Sequence, residues 1–232
     1  MQSADTPDQC HFRFSTLSFA AISDAQLRAR AAMAVPPDLL ERPGRSDERR
    51  RAYWAGRAAA AVLLSDGALI RPDPQWGYLR VYTGKVEDKR HVNISHTSGM
   101  AAAVLGMSPV GIDIESMGRD ASRVIRRAAS ATERQRMPKS LWIDGKEIRA
   151  EVAVWSAKEA VSKALGLGIK FGLQHFVIDL SSDPPFCVSS DISGPLHVKE
   201  PAVLLLQKND HIIAICAERE SLRNGVHDAS RP

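Results

Sequence analysis

Cysteines and long apolar segments are the features that this chain has least of. Its 3 cysteines, Cys10, Cys187 and Cys216, lie far apart and form no Cys-x-x-Cys pair. This number and spacing exclude a disulfide framework and a zinc knuckle, and they favour a reducing, cytoplasmic compartment. No apolar run approaches the roughly 18 residues that span a bilayer. The polar, acidic first residues also lack the apolar core of a signal peptide.

A strong charge of either sign is missing as well. The chain carries 31 Lys and Arg residues against 27 Asp and Glu residues, which leaves a net charge of +4 at pH 7. This mild excess is compatible with an anionic ligand or partner but does not require one. The densest group of arginines can be explained as the solvated face of a helix. That group consists of Arg42, Arg45, Arg49, Arg50, Arg51 and Arg57.

The order of predicted elements occurs twice along the chain. With 232 residues, 44% of them hydrophobic, the chain can form one large domain or two closely packed halves. Apolar periodicity predicts two long helices, each followed by a pair of strands. The first set covers 46–64, 92–95 and 100–105, and the second covers 148–165, 202–207 and 211–217. We therefore expect an α+β fold with an N-terminal half over 1–108 and a C-terminal half over 109–232.

Two shorter segments carry weaker signals. The stretch 122–136 predicts a helix in which Thr132 acts as a second N-cap. The polar segment from Glu220 to Pro232 is expected to fray.

The predicted strand 110–115, Val-Gly-Ile-Asp-Ile-Glu, carries two acids. Because side chains alternate along a strand, Asp113 and Glu115 point to one face, and the isoleucines point to the core. An edge strand with a solvated acidic face would explain this pattern. A cation between the carboxylates would also explain it, and Gly111 would allow another backbone segment to approach closely.

A second charged motif, Trp-Ser-Ala-Lys-Glu-Ala-Val-Ser-Lys, begins at Trp155. A capping box of Ser156 with Glu159 and a helical Glu159–Lys163 pair would explain part of it structurally. Neither feature explains why Lys158 lies next to the glutamate. The motif therefore invites a chemical interpretation beside the structural one.

Carboxylates from the two motifs indicate a hard metal ion. Asp113, Glu115 and Glu159 are the kind of oxygen ligands that Mg²⁺ prefers, with Mn²⁺ as an alternative, and no His/Cys set indicates zinc. Lys158 and Lys163 would then serve a phosphate anion, because metal and ammonium groups together stabilise charge on phosphate oxygens.

Ser95 and His96 form a further polar pair where a predicted strand enters a turn. Both side chains could donate hydrogen bonds to an anion. A serine that stabilises the turn, next to an exposed histidine, is the structural alternative.

Taken together, these motifs resemble the Sfp-type 4′-phosphopantetheinyl transferases. The resemblance rests on the strand 110–115, on Trp155–Ala160 with Lys163, and on Ser95–His96 upstream. The arginine-rich segment 50–57 is similar to the siderophore-synthase branch, which enterobactin biosynthesis typifies.

The resemblance implies two similar α+β halves in one chain, a pseudo-dimer with the active site in the cleft between them. It also implies a Mg²⁺-dependent holo-carrier-protein synthase. Such an enzyme moves the 4′-phosphopantetheine arm of coenzyme A to a serine of an apo acyl or peptidyl carrier protein and releases adenosine 3′,5′-bisphosphate. The expected setting is a cytoplasmic monomer in nonribosomal peptide, siderophore or polyketide synthesis.

Carried over by position, the resemblance implies that Asp113, Glu115 and Glu159 bind the metal ion with the pyrophosphate. Asp113, Glu159 and Lys163 are the implied catalytic residues. Glu159 could help to deprotonate the serine, and Lys163 would offset charge on the leaving group. The residues implied in coenzyme A binding are Arg50, Arg51, Arg57, Ser95, His96, Lys158 and Lys163.

The segment 120–137 would help to dock an acidic carrier, although 132–137 follows the family's Thr-Glu-Arg-Glu-type segment only loosely. Its surroundings are basic, which fits an electrostatic encounter surface. The basic residues are Arg119, Arg123, Arg126, Arg127 and Arg134.

Two other functions stay open at this point. A metal-dependent nucleotide phosphohydrolase would use the same carboxylates, with water in place of the serine. A non-catalytic basic module that binds nucleic acid or an acidic protein would explain the arginines but not the acids, and no helix-turn-helix, zinc or RRM signature supports it.

Overall fold

The computed structural model describes residues 12–41, 46–168, 171–180 and 194–230, and the backbone of 186–190. It confirms the α+β class that the sequence predicts. The strands are β1 (Phe12–Ser18), β2 (Ala68–Pro72), β3 (Leu79–Thr83), β4 (Val86–Thr97), β5 (Met100–Gly106), β6 (Gly111–Ser116), β7 (Ser140–Ile143), β8 (Lys146–Arg149), β9 (Phe176–Asp179), β10 (Phe186–Ser190), β11 (Pro201–Lys208), β12 (His211–Glu218) and β13 (Val226–Asp228). The helices are α1 (Asp24–Ala31), α2 (Pro37–Leu40), α3 (Asp47–Ala61), α4 (Ser122–Ala128), α5 (Ala131–Arg136), α6 (Ala150–Ala164) and α7 (Arg219–Arg223), with a 3₁₀ turn at Leu173–His175.

Two larger sheets carry the fold, and their described strands follow the same order. In the first sheet the order is β13-β1-β5-β4-β3-β2, and in the second it is β6-β12-β11-β10-β9. Apart from β13, the strand that comes first along the chain lies beside the strand that comes last in each sheet. The remaining strands then follow in reverse chain order. Neighbouring strands are antiparallel, except that β13 lies parallel to β1.

Apolar side chains alternate between two faces in each sheet and so form separate cores. In β5, Ala101 and Ala103 pack towards α3, whereas Ala102 and Val104 join a core that both sheets share. The second sheet behaves in the same way, because alternate residues of β12 pack towards α6 or into the shared core. The layers are therefore helix, sheet, sheet, helix.

The helix α6 is buried on nearly all sides and lies very close to β6. A Cβ atom added to Gly111 would lie 2.0 Å from the carbonyl oxygen of Ala160 and 2.5 Å from the nitrogen of Ala164. Glycine is therefore required for the close approach of the helix backbone to the strand. This contact fixes the position of α6 relative to the acids of β6.

Two predictions about helix ends are wrong. The stretch 122–136 forms two helices, and Ser130 caps the second by accepting a hydrogen bond from the N–H of Glu133, while Thr132 lies inside α5. Ile148 belongs to β8, where it pairs with Leu141, so α6 begins at Ala150. Ser156 consequently lies within the helix, and the predicted capping box does not form.

The expectation of a frayed tail is also wrong for residues 220–230. This segment forms the end of α7 and then β13, which pairs with β1 through Phe12 and Val226. Lys208 stabilises the arrangement through a 2.7 Å ion pair with Asp228.

Two sequence expectations concern membrane-spanning segments and cysteines. Within the described residues, no helix has the length and apolarity that crossing a membrane requires. Cys216 is a buried free thiol in β12, whereas Cys10 and the side chain of Cys187 lie outside the described residues.

Candidate active site

The two acids of β6 are buried rather than solvated. Asp113 and Glu115 are 2% and 5% exposed. Asp113 pairs with Ala214 and Glu115 pairs with Ile212, and both partners belong to the core beneath α6. The acidic face of β6 therefore points towards α6, which excludes the interpretation as a solvated edge strand.

Asp113 lies at the centre of a hydrogen-bonded group drawn from both sheets. Its Oδ1 atom accepts hydrogen bonds from the Ser95 hydroxyl of β4 at 2.8 Å and from Lys163 Nζ of α6 at 2.8 Å. Lys163 also donates to Ser95 Oγ and to the carbonyl oxygen of Ile112, both at 3.0 Å. The Asp113 Oδ2 atom is buried and has no hydrogen-bond partner among the described residues. The structure thus brings together Ser95, Asp113 and Lys163, which come from three separate sequence motifs.

Glu159 joins this group from one turn earlier in α6. Its Oε2 atom lies 3.8 Å from Lys163 Nζ. Burial raises the pKa of Glu159 to about 7, and the nearby charge of Asp113 adds to the increase, while Lys163 opposes it. A pair of close carboxylates with one unpartnered buried oxygen is an arrangement that a divalent cation would stabilise.

Glu115 is held apart from that pair by other partners. Its Oε1 atom accepts a hydrogen bond from Trp155 Nε1 at 2.9 Å and forms a close ion pair with Arg119. The Arg119 guanidinium also lies over the Trp155 ring, 5.3 Å from its centroid. In the described part of the chain, no three His, Cys, Asp or Glu side chains are gathered into a ready metal-binding group. The structure therefore assembles two of the three predicted metal ligands.

A cavity of about 280 Å³ borders this group. Its wall contains Lys163 together with two other predicted ligands of coenzyme A, Arg57 and His96. The Arg57 guanidinium lies 3.8 Å from the centroid of the Tyr53 ring, which orients it. The remaining lining residues are Trp76, Gly77, Tyr78, Leu79, Asn93, Ile94, Gly166 and Gly168.

Two predicted arginines do not line the cavity. Arg50 pairs with Asp47 at 2.8 Å within α3. Arg51 pairs with Asp24 and donates to the carbonyl oxygens of Phe19 and Ile22. The Arg50 pair lies within α3, and the contacts of Arg51 fasten α3 to α1 and the segment before it, so both arginines have structural explanations.

Lys158 is likewise absent from the cavity and the acidic group. It is fully buried and donates to Glu133 Oε2 at 2.8 Å and to the carbonyl oxygens of Leu173 and Phe176. Glu133 also accepts the backbone N–H of Ile178 at 3.2 Å. Desolvation lowers the pKa of Lys158, and the hydrogen bond that Lys158 donates to Glu133 opposes that change. This ion pair connects α6 with α5 and β9.

Sequence reasoning missed two contributors to the site. Trp155 opens its sequence motif, which predicts no role for it, yet it donates a hydrogen bond to Glu115. The wall residues Trp76 and Tyr78 carry no local motif, because they reach the cavity through the loop between β2 and β3. For Trp155, the one available signal was its position at the start of a charged helical motif.

Comparison with known proteins indicates the class of this site. Residues 109–216 match the family model of the 4′-phosphopantetheinyl transferase superfamily, and this range contains β6 and α6 with Asp113, Glu159 and Lys163. The match supports that family for the segment carrying most of the acidic group.

Two curated relatives are similar over parts of their length. The chain is 25% identical over 115 residues to 4′-phosphopantetheinyl transferase gsp from Aneurinibacillus migulanus, covering 48% of this chain and 46% of the relative. It is 34% identical over 96 residues to 4′-phosphopantetheinyl transferase psf-1 from Bacillus pumilus, covering 40% of this chain and 39% of the relative. The chain therefore spans less than half the length of either relative.

Proposed function

We propose that this protein transfers the 4′-phosphopantetheine arm of coenzyme A to a serine of an apo carrier protein. The observation that carries the proposal is the meeting of Ser95, Asp113 and Lys163 beside a cavity with further cationic side chains in its wall. The family match over 109–216 and the similarity to two named transferases support the same chemistry.

The reaction needs a base and a counter-charge, and α6 offers both. The serine oxygen attacks the phosphorus that carries pantetheine, and the pyrophosphate bond to the adenosine side breaks, which releases adenosine 3′,5′-bisphosphate. Glu159 is the candidate acceptor of the serine proton, directly or through water, because it is a carboxylate beside Lys163, which borders the cavity. Lys163 contacts the pyrophosphate and balances charge on the leaving group.

The metal ion in this proposal is Mg²⁺, or alternatively Mn²⁺, with Asp113, Glu115 and Glu159 as ligands. The unpartnered Oδ2 atom of Asp113 and the raised pKa of Glu159 fit a cation. Glu115 fits once its contact with Arg119 is exchanged for the ion. When bound, the ion supplies positive charge that stabilises the transferring phosphate.

Coenzyme A is proposed to occupy the cavity beside Lys163. Arg57 is the arginine that the cavity supports as a phosphate ligand, since a planar guanidinium suits phosphate oxygens. His96 lines the same cavity, and Ser95 contacts Lys163 directly. Arg50, Arg51 and Lys158 take part in other contacts and are weaker candidates.

The finer family assignment is an Sfp-type enzyme of the siderophore-synthase branch, built as a pseudo-dimer of halves 1–108 and 109–232. The shared strand order of the two sheets supports the pseudo-dimer. The site draws Ser95 from the first half and Asp113 with Lys163 from the second, as a cleft between halves requires. β13 returns from the second half to the first sheet.

The partner is proposed to be an acidic acyl or peptidyl carrier that docks along 120–137. A groove of about 510 Å³ is lined by α5 and β9, including Thr132, Arg136, Met137 and Val177. Arginines on α4 and α5 add positive charge that complements an acidic partner. We place the reaction in the cytoplasm and assign it to a monomer, in agreement with the cysteine pattern.

Intact mass spectrometry of apo carrier proteins tests the proposed function. After incubation with coenzyme A and Mg²⁺, we expect one phosphopantetheine on the carrier and none on a carrier whose acceptor serine is alanine. Release of nucleotide products without carrier modification would instead support a phosphohydrolase. Tight nucleic-acid binding at physiological salt without coenzyme A affinity would support a basic binding module.

A further inference from the structure

The loop between β2 and β3 supplies one wall of the 280 Å³ cavity through Trp76, Gly77 and Tyr78. Loops of this kind are usually mobile, because few packing contacts restrain them. Here the loop is held by two charged residues at its ends, Asp73 and Arg80, that do not line the cavity themselves.

Asp73 organises the backbone of the loop. Its side chain is buried, and its Oδ1 atom accepts the N–H groups of Gln75 at 2.9 Å and Trp76 at 2.7 Å. Its own N–H donates to the carbonyl of Tyr78 at 2.6 Å, and its carbonyl accepts the N–H of Gly77 at 2.9 Å. These four hydrogen bonds define the path of the wall residues.

Arg80 connects Asp73 with a wall side chain. Its Nη2 atom lies 2.6 Å from Asp73 Oδ2 and donates to the Tyr78 hydroxyl at 2.8 Å. Its Nη1 atom pairs with both oxygens of Glu87 at 2.7 and 2.6 Å, on the solvent side. The guanidinium thus joins the buried carboxylate and the tyrosine hydroxyl in one charge-assisted network.

We propose that Asp73 and Arg80 are positioning residues for coenzyme A, which hold Trp76 and Tyr78 in the arrangement that completes the cavity before the ligand binds. The inference rests on the proposed function, because it takes coenzyme A as the ligand of this cavity. Ordering a loop in advance removes an entropic cost from binding, so the network contributes to affinity without touching the reacting atoms. Carrier docking along 120–137 does not involve this loop.

Binding and steady-state measurements on matched variants test this role. Asp73→Ala removes the acceptor for the N–H groups of Gln75 and Trp76 and also the ion-pair partner of Arg80. Asp73→Asn keeps an oxygen for the two N–H groups. Glu87→Gln is the control, because it alters the solvent side of the same guanidinium. The readouts are the Kd of coenzyme A by calorimetry, the KM values of coenzyme A and carrier, kcat, and the thermal midpoint.

For Asp73→Ala we expect the Kd and KM of coenzyme A to rise about tenfold, while the carrier KM and kcat stay within about twofold. Asp73→Asn should recover only part of the loss, because its amide nitrogen cannot accept from Arg80, and Glu87→Gln should match the wild type. If Asp73→Ala does not fold, Tyr78→Phe removes only the hydroxyl, and its coenzyme A Kd should rise about threefold.

Three outcomes would overturn the inference. The first is an unchanged coenzyme A Kd in Asp73→Ala or, where that variant does not fold, in Tyr78→Phe. The second is an equal loss in Asp73→Ala and Glu87→Gln. The third is a rise in carrier KM that parallels the rise for coenzyme A. A wild-type protein that binds no coenzyme A would instead refute the proposed function and remove the basis of this inference.

Discussion

Polar side chains on β1 and β6, the strands that come first along the chain in the two sheets, have different kinds of partner. On β1, the Ser15 hydroxyl donates to the carbonyl oxygen of Ala59, and Arg13 donates to that of Leu63, both at 2.6 Å. These polar groups satisfy backbone groups in and just after α3, and they fasten the helix to the sheet.

On β6, the polar residues meet side chains of α6 instead. Asp113 contacts Lys163, and Glu115 accepts a hydrogen bond from Trp155. One oxygen of Asp113 has no hydrogen-bond partner within the described residues, and the nearby Glu159 has a raised pKa. Ser15 and Arg13 of β1 therefore serve structure, whereas the acids of β6 carry charge that a ligand can still neutralise.

The largest expected effect is a loss of activity, and it comes from replacing Asp113 on β6, with Ser15 on β1 as the comparison. Asp113→Asn keeps the size of the side chain but removes its charge, so we expect the transfer rate to fall at least about a thousandfold. Ser15→Ala should leave the rate within about twofold and lower the free energy of unfolding by about 1 kcal/mol. Initial rates and urea unfolding measure both quantities, and an equal loss of activity in the two variants would remove the contrast.

A second test separates structural from chemical lysines within α6. Lys158→Met leaves the buried Glu133 without its charged partner, which should lower the free energy of unfolding by about 3–5 kcal/mol. Lys163→Met should lower the transfer rate about a hundredfold but cost less stability, because the neighbouring Glu159, whose pKa is raised to about 7, can bind a proton and so reduce the negative charge left behind.

Rates for the two lysine variants should be compared at a temperature where circular dichroism shows both to be folded. A larger loss of transfer in folded Lys158→Met than in Lys163→Met would reverse the assignment of the two residues.

A third test compares helix–sheet contacts in the two halves. In Gly111→Ala the new methyl group meets backbone atoms of α6, whereas in Gly56→Ala it meets the side chain of Ile94, 2.5 Å away. A side chain can rotate and a helix backbone must move as a unit, so we expect losses of about 3 and about 1 kcal/mol, respectively. Urea unfolding measures both, and equal losses would show that α6 adjusts as easily as Ile94.

The last test is a pH-dependent gain in stability from Glu159→Gln without metal ions. The pKa of Glu159 rises from 4.5 to about 7 on folding, so its contribution to stability is complete below about pH 4.5 and is lost as the pH rises through 7. The free energy of unfolding of the variant should therefore exceed that of the wild type by about 2 kcal/mol at pH 8.5 and by little at pH 5.

Unfolding in the presence of EDTA measures this difference. Added Mg²⁺ should then stabilise the wild type more than Glu159→Gln at pH 8.5. A difference between the proteins that does not depend on pH would contradict the raised pKa.

Local patterns in the sequence predicted most of the elements around the site. The strands β5 and β6, the β11–β12 hairpin and the body of α6 follow the predicted positions within a few residues, whereas β4 begins at Val86, well before the predicted segment 92–95. Alternating and helical apolar periods are local properties, so they are visible without tertiary information. The short β7–β8 hairpin and β13 were missed, because four and three residues are too few to establish a period.

The site was predictable in composition and in its helical Glu159–Lys163 pair, but not in its other pairings. Asp113, Glu159 and Lys163 were singled out because their motifs carry more charge than helix or strand formation needs. Lys158 is paired with Glu133 of α5, which lies 25 residues earlier in the chain, and Arg119 reaches Glu115 from just after β6, where the strand period no longer applies. Charge spacing in a motif cannot reveal such partners.

The parallel pairing of β13 with β1 has a consequence for dissecting this molecule. A fragment that stops at residue 108 would leave the Phe12–Phe14 edge of its sheet uncovered. Uncovered sheet edges recruit strands from other molecules, so such a fragment would be prone to self-association and aggregation. Chimeras that exchange segments with homologous proteins should therefore take residues 226–228 from the same source as β1.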